Sequence, residues 1–168
     1  MPMSAYVRGI RRKIGCDLLM LQAVAVMVFD EQRRLLVAQE AGSGLWMTIG
    51  GGIEPNETPA DAAVRECWEE TGLLIEPLRL VGVFGGAAFR TIYANGDVVS
   101  YVVTAFEARR VGGEPVPDGV ETSALRFVSC DEAADLPMGV LNRELVAGAF
   151  AYEGVPYFAK ARWRPGGG

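Results

Sequence analysis

Residues 51–73, GGIEPNETPADAAVRECWEETGL, limit what this chain can become more than any other stretch. A glycine turn runs into a segment with helical spacing and three glutamates close together. Thr58 stands where an N-cap belongs, Pro59 suits the first helical position, and Asp61 follows Thr58 at capping-box distance. Gly72 is placed to end the helix in a left-handed conformation. Glu66, Glu69 and Glu70 are separated by three and four positions, so at about 100° per residue they share one side. Ala60, Val64, Cys67 and Trp68 fall roughly opposite and are expected to form the buried stripe. One face is then core and the other a group of carboxylates.

Such a group needs a compensating partner. Like charges four residues apart, as at Glu66 and Glu70, cost a helix about 0.2–0.5 kcal/mol per pair. Arg65 can reach Glu69, but one arginine does not neutralise three carboxylates. A solvated acidic face is the bland alternative. The sharper one is a hard divalent cation held by carboxylate oxygens, with Mg²⁺ the first choice. Gly50, Gly51 and Gly52 favour the second, because backbone free of side chains can approach a phosphate or offer a carbonyl to a metal.

Spelled out, the stretch is Gly51, five residues, Glu57, seven residues, Arg65-Glu66, an apolar residue, any residue, Glu69-Glu70, any residue, Gly72 and an apolar residue. This resembles the Nudix box with every fixed position filled. The resemblance implies hydrolysis of a nucleoside diphosphate linked to another group, assisted by Mg²⁺ or Mn²⁺. It also implies that Glu66, Glu69 and Glu70 are metal ligands, that Glu57 pairs with Arg65 to fix the loop on the helix, and that the Gly50 carbonyl can add a ligand. One departure lies upstream. Many members have proline before the paired glycines, where this chain has Ile49, and Gly52 adds a third glycine.

The rest of the chain is compatible with this. Its 168 residues suit one domain with a sizeable core, and half of them are hydrophobic. A net charge of −5 gives no support for nucleic acid or an anionic membrane as partner. The chain has no histidine, which excludes histidine metal sites and Ser-His or Cys-His nucleophiles. Acid–base work therefore falls to carboxylates, lysine, tyrosine or metal-bound water. Cys16, Cys67 and Cys130 are isolated, which fits a reducing cytoplasm. Arg8, Arg11, Arg12 and Lys13 make the opening basic. Asp17 and Gln22 interrupt any signal-peptide core. Residues 1–18 are expected to be an arm or surface helix with Tyr6, Val7, Ile10 and Ile14 on one side; a homodimer contact is the alternative. No segment is long and apolar enough to cross a membrane.

Strands are expected at residues 19–29, 34–39, 46–49, 74–84, 90–93, 98–107 and 125–128. Pro77 marks an edge or break, and Asn95-Gly96 predicts a hairpin with a primed turn. Residues 85–88 read as a flexible connection and 111–120 as a loop. Ser129 can cap a helix near residues 131–135, residues 140–152 read as a terminal helix, and 161–168 as a flexible tail. Hairpins with few helices predict an α+β domain over residues 19–160. The resemblance sharpens that to an α/β/α sandwich with a mixed central sheet.

Glu114, Asp118 and Glu121 lie in or beside the late loop. In several Nudix enzymes a late-loop glutamate orients the attacking water or binds an extra metal, and Glu121 is the best-placed candidate; a solvated loop acid is the alternative. Gly51 and Gly52 are candidate phosphate contacts. Trp46, Phe89, Tyr93 and Tyr101 are candidates for stacking a nucleobase, or else core residues. Nucleotide-sugar cleavers often carry a proline soon after the box, and none occurs between Pro77 and Pro115. Tyr93 lies too far downstream for the dinucleoside-polyphosphate pattern, and no coenzyme A signature is present. Nucleoside triphosphates, ordinary or oxidised, are the expected substrates. ADP-ribose or another nucleotide sugar comes second, and a non-catalytic nucleotide-binding regulator is the rival of another class.

Overall fold

Alternation along the first strand builds two cores. The computed structural model describes residues 3–165. Strand β1, Leu19–Val28, sends Ala23, Ala25 and Met27 to one side and Val24, Val26 and Val28 to the other. Strand β2, Leu35–Glu40, divides likewise, Leu35 and Val37 against Leu36 and Ala38. A strand apolar on both faces must be covered on both. Helix α2, Pro59–Thr71, covers one side. Helices α3, Cys130–Asp135, and α4, Val140–Phe150, cover the other.

The larger sheet is mixed. Strand β6, Val98–Gly113, runs parallel to β1 and antiparallel to both β4, Leu73–Phe84, and β5, Arg90–Ile92. A second, antiparallel sheet has the order β3, Trp46–Thr48, then β2, then β7, Thr122–Val128. Single bridges at Val26–Ile49 and Ala23–Gly52 join the glycine turn to β1. Helices on two sides of a mixed sheet give the expected α+β sandwich.

Helix α1, Ala5–Ile14, starts at Ser4, whose hydroxyl accepts from the Val7 N–H at 3.2 Å. Arg11 is its anchor. Its guanidinium is buried and donates to the carbonyls of Gly15 at 3.1 Å, Asp17 at 2.7 Å and Val98 at 2.9 Å. Arg8, Arg12 and Lys13 are exposed, and so is Tyr6, against expectation.

Several other expectations need correction. The stripe of α2 facing the sheet is Ala62, Ala63, Glu66, Cys67, Glu70 and Thr71, whereas Ala60 and Trp68 are exposed. Thr58 accepts from the Asp61 N–H, but its hydroxyl also donates to the Asp61 carboxylate, which is only half of a capping box. The full box occurs at Ser129 and Glu132. Residues 87–89 form a 3₁₀ turn within the connection read as flexible. The 93–97 hairpin has Gly96 at φ 87°, and Asn95 is not in the left-handed region. It is therefore a type I turn closed by a glycine bulge, not a primed turn. Strand β6 runs through Gly113, so the loop read as 111–120 is shorter, and β7 begins at Thr122.

The end of the chain is also used. Tyr157 donates to the Val81 carbonyl at 2.8 Å and accepts from the Val83 N–H at 2.9 Å, covering the edge of β4. Its ring stacks on Phe84 at 4.9 Å. Gly82 makes room, since a Cβ there would sit 2.7 Å from the Tyr157 carbonyl oxygen. Residues 161–165 are exposed; the last three residues of the expected tail lie outside the described residues. Among the described residues no helix is long and apolar enough to cross a membrane.

Candidate active site

Small side chains pull α2 onto the sheet. Ala62, Ala63 and Cys67 are fully buried against Val24, Val26 and Ile49, so the helix sits close enough to sink two of its glutamates. Glu66 and Glu70 are 4% and 2% exposed, while the Glu69 side chain is 57% exposed. Burial drives both inner carboxyls upward. Glu66 is raised by desolvation despite Arg65, and Glu70 is pushed up to about 8, with Glu66 and Glu121 adding repulsion. Burial also raises the Cys67 thiol to about 11, which makes it a packing residue and not a nucleophile.

Arg65 organises the near side. It holds Glu57 with two parallel bonds, Nε to Oε1 and Nη2 to Oε2, both 2.8 Å. Nη2 also donates to the Gly52 carbonyl at 2.9 Å, which fastens the glycine turn to the helix. Nη1 bridges Glu66 at 2.8 Å and Glu69 at 3.1 Å. These partners hold the guanidinium well above its ordinary pKa and Glu57 below the usual carboxylate range, the Arg65 hydrogen bond being the main cause.

Of the three glycines, Gly50 alone has positive φ, at 140°. Its N–H donates to Glu70 at 3.0 Å, and a Cβ would lie 2.2 Å from the Val24 carbonyl oxygen. Gly51 gives its carbonyl to the Val24 N–H at 2.9 Å, and Gly52 gives its own to Arg65. The Gly52 carbonyl therefore helps to hold the turn on the helix. Gly50→Ala is expected to destabilise the protein by about 2 kcal/mol or more, because φ and the clash oppose it together. A thermal melt against wild type checks this.

Glu121 arrives from the far end of the chain. Its backbone carbonyl accepts from the Ala41 N–H at 2.8 Å, and its charge is felt by both Glu66 and Glu70. Its own carboxyl is raised, first by burial, then by Asp118 and Glu69. Glu114 is instead tied to Arg110. Two residues unremarked in the sequence also reach this region. Asn142 of α4 accepts through Oδ1 from both the N–H and the hydroxyl of Thr48, each at 2.9 Å, two positions before Gly50. Thr122 binds the backbone of Glu70 itself. A hydrogen-bonding residue ahead of an apolar run was the available signal for Thr122, and for Asn142 the sequence carries none.

The aromatic candidates divide. Phe89 is buried in the core beside Phe84, so it is not available to a base. Trp46 and Tyr101 are half-buried against the same core, and Tyr93 is partly exposed with its hydroxyl bonded to that of Tyr101. Burial and this bond push the Tyr101 phenol up.

Among the described residues no three acidic side chains converge as a metal-ligand set as they stand. Arg65 lies between Glu66 and Glu69. The donor chemistry nonetheless fits a hard divalent cation. The groups are all oxygens, two are buried carboxylates raised first by desolvation, and the arginine among them is paired with Glu57 as well. Glu66, Glu69, Glu70 and the Gly50 carbonyl are the groups that would hold it.

A family model described as the NUDIX domain matches residues 20–148. The chain is similar to a MutT-like protein of Streptomyces ambofaciens, 44% identical over 113 residues, 67% of this chain and 66% of that protein. It is similar to a Bacillus subtilis (strain 168) protein provisionally named 8-oxo-dGTP diphosphatase, 31% identical over 64% of this chain and 66% of that one. The match thus spans just under two thirds of these relatives' length. Among solved structures it resembles an ADP-ribose pyrophosphatase of Streptococcus suis, with 27% identity, a TM-score of 0.59, and coverage of 77% of this chain and 88% of that one. A MutT NUDIX hydrolase from Burkholderia pseudomallei shares the fold at 22% identity and a TM-score of 0.65, over 77% of this chain and 98% of that one. Nudix hydrolases generally use a divalent metal. With a complete box and the family match over most of its length, the chain belongs to the Nudix family.

Proposed function

We propose that the chain is a metal-dependent pyrophosphohydrolase acting on a nucleoside triphosphate, ordinary or oxidised, with Mg²⁺ preferred and Mn²⁺ as substitute. The observation that carries this reading is the burial of Glu66 and Glu70, both raised by desolvation, beside a glycine turn that Arg65 fastens to the helix. A cation bound there supplies neutralisation of the charge developing on the reacting phosphoryl and a bound water of lowered pKa. Arg65 and Glu57 keep the glycine turn in place beside it. Gly51 and Gly52 allow backbone to approach the diphosphate, and Trp46 and Tyr101 flank the base. Glu121 accepts the proton of the attacking water as that oxygen bonds to phosphorus and the bridging P–O bond breaks.

The relatives named for MutT and for 8-oxo-dGTP support the triphosphate reading. The Streptococcus suis structure, named for ADP-ribose, supports ADP-ribose as the second candidate. The intact carboxylates speak against a regulator that binds nucleotide without cleaving it. A competition assay offering nucleoside triphosphates, including 8-oxo-dGTP, together with ADP-ribose tests the choice. Monophosphate and pyrophosphate are expected to appear fastest. Faster release of AMP and ribose phosphate from ADP-ribose would reverse the order.

A further inference from the structure

The residues between β6 and β7 are fastened to α2 at one place, the carbonyls that its last turn leaves without helical partners. The Val116 N–H reaches the Thr71 carbonyl at 2.9 Å, and the Thr122 hydroxyl reaches the Glu70 carbonyl at 2.8 Å. Thr122 is fully buried. Asp118 completes the attachment. Its carboxylate accepts from the consecutive N–H groups of Val120, Glu121 and Thr122 at 3.0, 3.0 and 2.8 Å, and its own N–H donates to the Thr122 hydroxyl at 3.1 Å. The pairing of β2 with β7 then slips by one residue, Gln39 opposite Ala124 but Glu40 opposite Thr122, a bulge that re-aims the side chains before it. Glu121 lies between these two residues.

We infer that Asp118 and Thr122 are a positioning pair that sets Glu121 against the carboxylates of α2, using the Glu70 carbonyl as the reference point. This rests on the hydrolase reading above and goes beyond it, because neither residue belongs to the box or touches substrate. The arrangement has a physical logic. The charges of Glu66, Glu69 and Glu70 bear on Glu121, so where its backbone is held decides how close it stands to them. Three backbone donors on one carboxylate and a buried hydroxyl on a helix end fix that backbone.

A double-mutant cycle tests the pair. Thr122→Val keeps shape and removes the hydroxyl; Asp118→Ala, at an exposed position, gives the same information should the valine variant not fold. Each is expected to lower kcat about 10-fold with KM and Mg²⁺ affinity changed less than about twofold, and Thr122→Ser is expected to restore kcat. In a Glu121→Gln background neither substitution should lower kcat further, since the group they position is gone. A loss that multiplies with that of Glu121→Gln, or an unchanged kcat beside a lowered melting temperature, would overturn the inference alone. Wild-type protein inactive on every nucleotide would remove the hydrolase reading and the inference with it.

Discussion

Glu70→Gln is expected to lower kcat by about 10²-fold or more while making the metal-free protein more stable above neutral pH. These opposite signs follow from one fact. The Glu70 carboxyl is almost fully buried, and its pKa is pushed from 4.5 to about 8 by desolvation. Below pH 4.5 it is protonated in folded and unfolded chains alike and costs nothing. As pH rises toward 8 the unfolded chain ionises freely and the folded one does not, so stability falls through that window. Glutamine keeps an oxygen for the Gly50 N–H and has no proton to lose. In chelator, the variant and wild type should melt together near pH 4.5 and diverge with the variant higher by pH 8, by on the order of 2 kcal/mol. Glu69→Gln should share the kinetic loss. Loss of stability in the Glu70 variant at pH 8 would mean that its charge is structural.

Arg65→Ala is expected to damage folding and turnover together. Arg65 makes five side-chain hydrogen bonds, two to Glu57 and one each to Glu66, Glu69 and the Gly52 carbonyl. Removing it leaves Glu57 without its bidentate partner and frees the turn that presents Gly50. The cost is about 2–3 kcal/mol, or about 5–10 °C in Tm, with a kcat loss of about 10²-fold even at saturating Mg²⁺. Lysine should not rescue it, since a point charge cannot fork across Glu57 and still reach Gly52. Tm and kcat of the alanine and lysine variants check this; a stable, active lysine variant would mean that charge alone suffices.

What could be read from sequence was what local chemistry decides. The ends of α2 at Thr58 and Gly72 and the apolar strand β1 are set by runs and spacings of a few residues, while the Arg65–Glu57 pair was implied by the family resemblance. The inward side of α2 was misjudged for a physical reason. Hydrophobicity placed Trp68 inside, but a helix held close to a sheet needs small residues, and Ala62 and Ala63 take the sheet side, carrying Glu66 and Glu70 with them. Charge burial at a functional site breaks the pattern that sequence reading relies on. Contacts between distant residues were invisible: Arg11 with Val98, Thr48 with Asn142, Thr122 with Glu70, and the Tyr157 segment along β4. Each joins groups far apart in the chain, and no local pattern announces them. Asp118 was noticed for its charge, while its work is to gather backbone N–H groups, as aspartate commonly does in turns.

The central claim is that the α2 carboxylates serve a divalent cation in breaking a pyrophosphate bond. It is tested most directly by the rate of nucleotide cleavage across a Mg²⁺ titration, starting from chelated wild-type protein. The expected result is no turnover in chelator, saturable recovery as Mg²⁺ is added, and a Glu70→Gln curve that stays near baseline. Absence of cleavage across a broad nucleotide panel at every Mg²⁺ and Mn²⁺ concentration, with no heat of metal binding by calorimetry, would contradict it.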